Sequence, residues 1–214
     1  MKKAILAAVA IMSGTLLADT TPVMVSLVTP VQAPNASFDV CGLRLSFIYG
    51  DCGEFTGLDI GIANRARGDF YGLGVGGVNI AGGNVYGAQF GLVNWIDDDN
   101  RNAAVDKRSC GLQWGLLNQA DAFCGVQDGF VNVVTESFSG LQTSLVNYAN
   151  NLRGVQCGAY FIFGVNIANG PVYGCQVGLV NYAEEMARGL QIGLVNIIGR
   201  NGWAPVLPFV NGHF

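Results

Sequence analysis

Residues Gly189–Asn196 read GLQIGLVN, and most of the chain beyond residue 40 is a variation on that octet. It recurs as GLDIGIAN from Gly57, GLGVGGVN from Gly72, GAQFGLVN from Gly87 and GLQWGLLN from Gly111. Further copies are GVQDGFVN from Gly125, GLQTSLVN from Gly140 and GCQVGLVN from Gly174. The closing asparagine stands at Asn64, Asn79, Asn94, Asn118, Asn132, Asn147, Asn166, Asn181, Asn196 and Asn211. Successive steps are 15, 15, 24, 14, 15, 19, 15, 15 and 15 residues. Self-similarity at a near-fixed period marks an architecture built by repeating one small unit.

Inside the octet the residues alternate. Leu190, Ile192 and Leu194 fall on one side of an extended chain, and Gly189, Gln191 and Gly193 on the other. Period-two alternation predicts a strand, because a helix would scatter these residues around its circumference. Between octets, segments such as residues 181–187 (NYAEEMA) collect the Asn, Glu and Gly that connecting turns use. Each unit therefore reads as one strand and one turn. A lone unit cannot cover its apolar side, so the fold must come from lateral pairing of neighbours. Counting Val23, Gly42 and each octet start through Ala204 gives twelve candidate strands, and no linker divides them. The expectation is an all-β chain with a single β-repeat domain over residues 19–214.

The chain opens Met1-Lys2-Lys3, continues with a short apolar run from Ala4 to Leu17, and reaches Ala18. A positive start, a short apolar core and a small residue near its end read as a secretory signal peptide over residues 1–18. The full chain has 11 Lys and Arg against 15 Asp and Glu; without Lys2 and Lys3 the balance is 9 against 15, a net of −6. An acidic chain with scattered arginines lacks the electrostatic footprint of a nucleic-acid binder. Only 12% of residues are charged and mean hydropathy is +0.36, where about a quarter charged is usual for soluble domains. Either most of the chain is buried or one face meets lipid. Six cysteines, Cys41, Cys52, Cys110, Cys124, Cys157 and Cys175, permit up to three disulfides behind an export signal, with no connectivity readable from their spacing.

The leader, VSLVTPVQ from Val25, GLRLSFIYG from Gly42, the many GLQIGLVN-like units and the terminal PVLPFVN resemble the bacterial exported "surface repeat" proteins of leptospiral type. The likeness covers roughly Val23 to Phe214. It implies export and surface exposure, and it carries no catalytic residues.

Two architectures fit the pattern. The preferred one is an antiparallel meander closing into an outer-membrane β-barrel, with Leu and Ile toward lipid and Gly and Gln lining the interior. Tyr71, Tyr86 and Tyr173, just before their octets, would then sit at the membrane interface, and outer-membrane lipid would be the partner. The closing Asn fits poorly, since it shares the parity of the apolar side. Two connections are long, Trp95 to Cys110 and Tyr148 to Gly158, and they would fall on opposite rims. The alternative is a β-solenoid with Leu and Ile inward, Asn stacked in a ladder, and a binding or adhesive role. There Cys110 and Cys124, each just before the Gly of successive octets, would lie side by side.

Chemistry is sparse. His213 is the one histidine and lies beside the C-terminus, so no catalytic triad assembles around it. No HExxH, P-loop or GxSxG motif occurs. Asp97, Asp98 and Asp99 offer oxygen ligands for a weak calcium site, but the spacing lacks the glycine and terminal glutamate of an EF-hand. No cofactor is expected. The functional expectation is a non-enzymatic outer-membrane or cell-surface protein, passing small solutes with weak selectivity if it is a barrel.

Overall fold

The computed structural model describes residues 20–97, 108–158 and 163–214, and the leader read at residues 1–18 lies outside them. The described chain is all strand and turn. Its strands are β1 (Thr20–Val28), β2 (Val31–Ala33), β3 (Asp39–Cys52), β4 (Phe55–Ala66), β5 (Phe70–Ala81), β6 (Val85–Phe90) and β7 (Val93–Ile96). They continue with β8 (Ser109–Ala120), β9 (Phe123–Ser144), β10 (Val146–Gly158), β11 (Val165–Val177), β12 (Val180–Arg200) and β13 (Val206–His213).

Successive repeats pair in parallel and in register. Gly57 stands opposite Gly72 and Asn64 opposite Asn79, and the same holds from Gly111 and Asn118 to Gly125 and Asn132. Parallel pairing between sequential repeats requires the chain to circle back each time, so the molecule is a β-solenoid of about eleven turns. The expected antiparallel barrel is corrected on this point. Among the described residues, antiparallel pairs occur only at the two ends, where β2 folds back on β1 and β13 on β12. These segments finish the sheet with short reversed strands, which limits end-to-end pairing.

The inside of the coil differs from the expectation for a solenoid. Leu58, Ile60 and Ile62 are 37, 41 and 62% exposed, whereas Gln113, Asn118 and Ala120 are fully buried. The aliphatic side of the octet faces outward, as the barrel reading had it. The cause lies in the two octet glycines. A Cβ at Gly125 would sit 2.1 Å from the carbonyl oxygen of Gly111, and one at Gly129 2.2 Å from that of Gly115. At these two octet positions there is therefore no room for a side chain, and the branched residues that are buried, such as Val85, Val134 and Val172, lie outside the octet. Gly125 also has φ 128°, which any other L-residue would hold under strain.

Parity also breaks within the octet. The residue after the second glycine, such as Leu92 or Leu116, lies outward, yet the Asn two residues later is buried. Strand β6 ends at Phe90 and β7 begins at Val93, so the chain turns a corner at Gly91-Leu92. That corner resolves the awkward parity of Asn, since period two holds only along an uninterrupted strand.

The octets at both long insertions are regular once this frame is known. Gly154-Val155-Gln156-Cys157 pairs with Gly174-Cys175-Gln176-Val177, and Val165-Asn166 pairs with Val180-Asn181. The octet is thus split between Gly158 and Gly164, and Gly164 takes the sixth place, its carbonyl accepting from Val180 N as Leu179 O does from Val195 N. The core is a row of Phe55, Phe70, Phe123, Phe138, Leu152 and Val172, facing a row of alanines that includes Ala66, Ala120 and Ala168. Phe55 and Phe70 stack at 5.0 Å, and Phe123 and Phe138 at 6.4 Å.

Candidate binding surface

Two amide ladders fix the coils and hence the outer surface. Each buried Asn side chain donates its Nδ2 to the Oδ1 of the Asn one coil on, from Asn64 to Asn79 (3.2 Å) through Asn181 to Asn196 (2.8 Å). The same Nδ2 donates to a carbonyl of that next coil, as Asn79 does to Phe90 (3.0 Å). Gln side chains form a second column that donates the other way. Gln113 donates to Gln89 (3.0 Å), and the series ends with Gln191 donating to Gln176 (2.7 Å). The columns therefore carry opposed amide dipoles. Their ends bear this out, because Asn64 Oδ1 and Gln191 Oε1, which no coil beyond donates to, are buried acceptors without a partner.

Of the ten asparagines expected to repeat, nine form the ladder. Asn211 is buried but belongs to the antiparallel cap, where its Nδ2 donates to Ala204 O (2.8 Å). The Gln column was visible in sequence only as a residue on the inner side. At its N-terminal end the position passes to an ion pair: Arg44 donates through Nε to Asp59 Oδ1 (2.8 Å) and through Nη2 to Asp59 Oδ2 (2.6 Å). Arg44 and Asp59 occupy the third place of GLRL and GLDI, a substitution the octet alignment could have flagged. Burial disfavours the charged Arg44, and Asp59 more than restores it, so the guanidinium holds its proton above the ordinary value.

The outward aliphatics form three rows along the solenoid axis. At about 4.8 Å per coil, ten glycine-marked coils span roughly 45 Å. The first two rows stand on the straight part of the octet and the third on the corner after its second glycine. Trp114, Leu116 and Phe130 project from the middle of this face, and Leu179, Ile192 and Leu194 from its C-terminal third. Asp128 is the one acid in these rows, and Thr143 Oγ1 donates to its Oδ1. The row before the first glycine flanks the face. It carries the exposed Tyr71, Tyr86 and Tyr173, the first two stacked at 5.2 Å, and the exposed Arg188.

No family model, curated protein or solved structure matches the chain.

The remaining candidates sit apart from this face or on its edge. Cys110 and Cys124 are register partners in adjacent coils, as expected for stacked repeats. No disulfide joins any of the six cysteines. Burial, then its contact with the Cys124 thiol, pushes the Cys110 thiol up to about 11. Burial pushes Cys52 up to about 12, although Arg44 Nη1 donates to its sulfur (2.9 Å) and opposes the shift. Cys41 is exposed, Cys157 is buried beside Gln156, and Cys175 is half-buried. Asp97 is exposed and its amide donates to Ala81 O (2.8 Å), while Asp98 and Asp99 lie outside the described residues. Among the described residues no three metal-binding side chains cluster. The interior is filled by amide, alanine and aromatic rows, which leaves the expected solute path without a lumen.

Proposed function

We propose that the chain is an exported β-solenoid binding module whose apolar face settles on a lipid surface. One observation carries the reading: an ordered array of Leu, Ile, Trp and Phe faces outward while the amides face inward. A folded chain gains nothing in its own core from such an array, and water penalises it by about 25 cal/mol for each Å² of apolar surface. Lipid is the partner that asks for no matching side-chain pattern. The flanking Tyr71 and Tyr86 suit the level of the headgroups, where an apolar ring and a polar hydroxyl are both satisfied. The leader-like residues 1–18 and the resemblance to surface-repeat proteins support export to a compartment bounded by membrane. No catalytic role is part of this reading.

Vesicle binding tests it. The chain from residue 19 should co-sediment with phosphatidylcholine/phosphatidylglycerol vesicles, with a blue shift in Trp emission as Trp114 leaves water. Leu92→Glu with Leu116→Glu, on neighbouring coils, should reduce binding at least about tenfold while circular dichroism is unchanged. A chain that stays in the supernatant as a monomer rules the reading out. A soluble dimer, dissociated by the same two substitutions, assigns the face to self-association instead.

A further inference from the structure

A second surface feature lies on the flank of the solenoid, at the row preceding the first octet glycine. Along that row the residues are Tyr86, Cys110, Cys124, Ser139, Arg153 and Tyr173, in register coil by coil. Of the small residues in succession there, Cys124 and Ser139 line a depression beside the larger Arg153 and Tyr173.

The result is a cleft of about 570 Å³, within the range of small-ligand sites. Its floor is formed by Phe123 and Phe138 of the core row. Arg108 lies on the first coil of the cleft and Arg153 three coils on, with Ser137 and Ser139 on a coil between them and Pro171 and Tyr173 one coil further. Arg153 lies over the Tyr173 ring at 5.5 Å, which holds its guanidinium at the cleft wall. In a chain of net charge −4, two of the 11 Lys and Arg residues meet in one concavity.

We propose that this cleft binds an acidic oligosaccharide of at least two sugar units. Each guanidinium presents a planar fork that matches a carboxylate, and arginines three coils apart, roughly 14 Å along the axis, suit acidic groups on different sugars of one chain rather than on a single sugar. The serine hydroxyls and the Asn151 amide can bond ring hydroxyls. The Tyr173 ring offers an apolar face for a pyranose. The site is separate from the apolar face and does not rest on the lipid reading.

Calorimetric titration of the folded chain with tetragalacturonate, with maltotetraose as the neutral probe, tests the assignment. The acidic probe should bind and the neutral one should not, and binding should weaken as salt rises from about 0.05 to about 0.5 M. Arg108→Gln with Arg153→Gln should weaken it at least about tenfold with the urea midpoint unchanged, since both side chains are at the surface. Leu92→Glu with Leu116→Glu should leave it unaltered, which separates this site from the lipid-binding face. No heat with tetragalacturonate, equal binding of maltotetraose, or full affinity in the double arginine variant would overturn the proposal.

Discussion

Asn132 shows what one residue does in this molecule. Its Oδ1 accepts from Asn118 (2.8 Å), and its Nδ2 donates to Asn147 Oδ1, Thr143 O and Gln127 O, each at 3.1 Å. Removal takes one bond from Asn118 Nδ2, which keeps Asp128 O, and one from Asn147 Oδ1, which keeps Ser144 Oγ, and it also removes a donor from Thr143 O; a buried polar group left short of a bond costs about 1–3 kcal/mol. Asn132→Ala should therefore lower unfolding stability in urea by about 2–4 kcal/mol. Asn196→Ala, at the end of the ladder, should cost about half as much, because it has an Asn on one side only. Equal effects at the two sites would show that the ladder is not a connected column. The Arg44–Asp59 pair follows a different rule. Asp59→Asn leaves a buried guanidinium without its counter-charge and should cost about 3–5 kcal/mol, whereas Arg44→Met with Asp59→Leu should recover most of that loss.

At the scale of an element, the strands differ in how they protect their thiols. Thiolate is the reactive form, so burial protects a cysteine twice, by denying access and by raising the pH at which it ionises. On β3, Cys41 is exposed and Cys52 is buried, with its thiol pushed up to about 12. Maleimide at about pH 8 should label Cys41 in minutes and leave Cys52 unlabelled until the protein is denatured, as peptide mass spectrometry would read. The terminal strands have a separate task. β13 lies antiparallel across β12, pairing Gly189 with His213 and Ile192 with Val210. Deleting residues 202–214 should bare the β12 edge and produce end-to-end oligomers on size exclusion.

At the scale of the whole molecule, the described coils pair with their sequential neighbours, so stability is close to a sum of coil and interface contributions. Removing residues 174–188 joins Tyr173 to Gly189 and restores the same junction one coil shorter. That variant should fold, with an unchanged β spectrum and a slightly smaller hydrodynamic radius. An unfolded product would mean that the stack is not modular. Much of this order was legible in the sequence: nine of the ten asparagines, the 14–15-residue step and the neighbouring Cys110 and Cys124 reappear in register from coil to coil. The direction of pairing was not. An antiparallel meander and a parallel coil both place octets side by side, and alternation within Leu190–Leu194 is identical in the two.

The octet by itself determined that the chain is built of strands, that Leu and Ile share one side with Gly and Gln on the other, and that neighbours must cover one another. Tertiary structure alone decided which side is the interior and where the long insertions go. The reason is steric and cooperative. A Cβ in either glycine column would strike the coil before it, and an amide column is satisfied only when the next coil is already in place. Neither condition exists within one octet. Once the coils stack, the amides are the residues that fit inside and the aliphatics are left on the surface, and so is the cleft lined by Cys124 and Ser139.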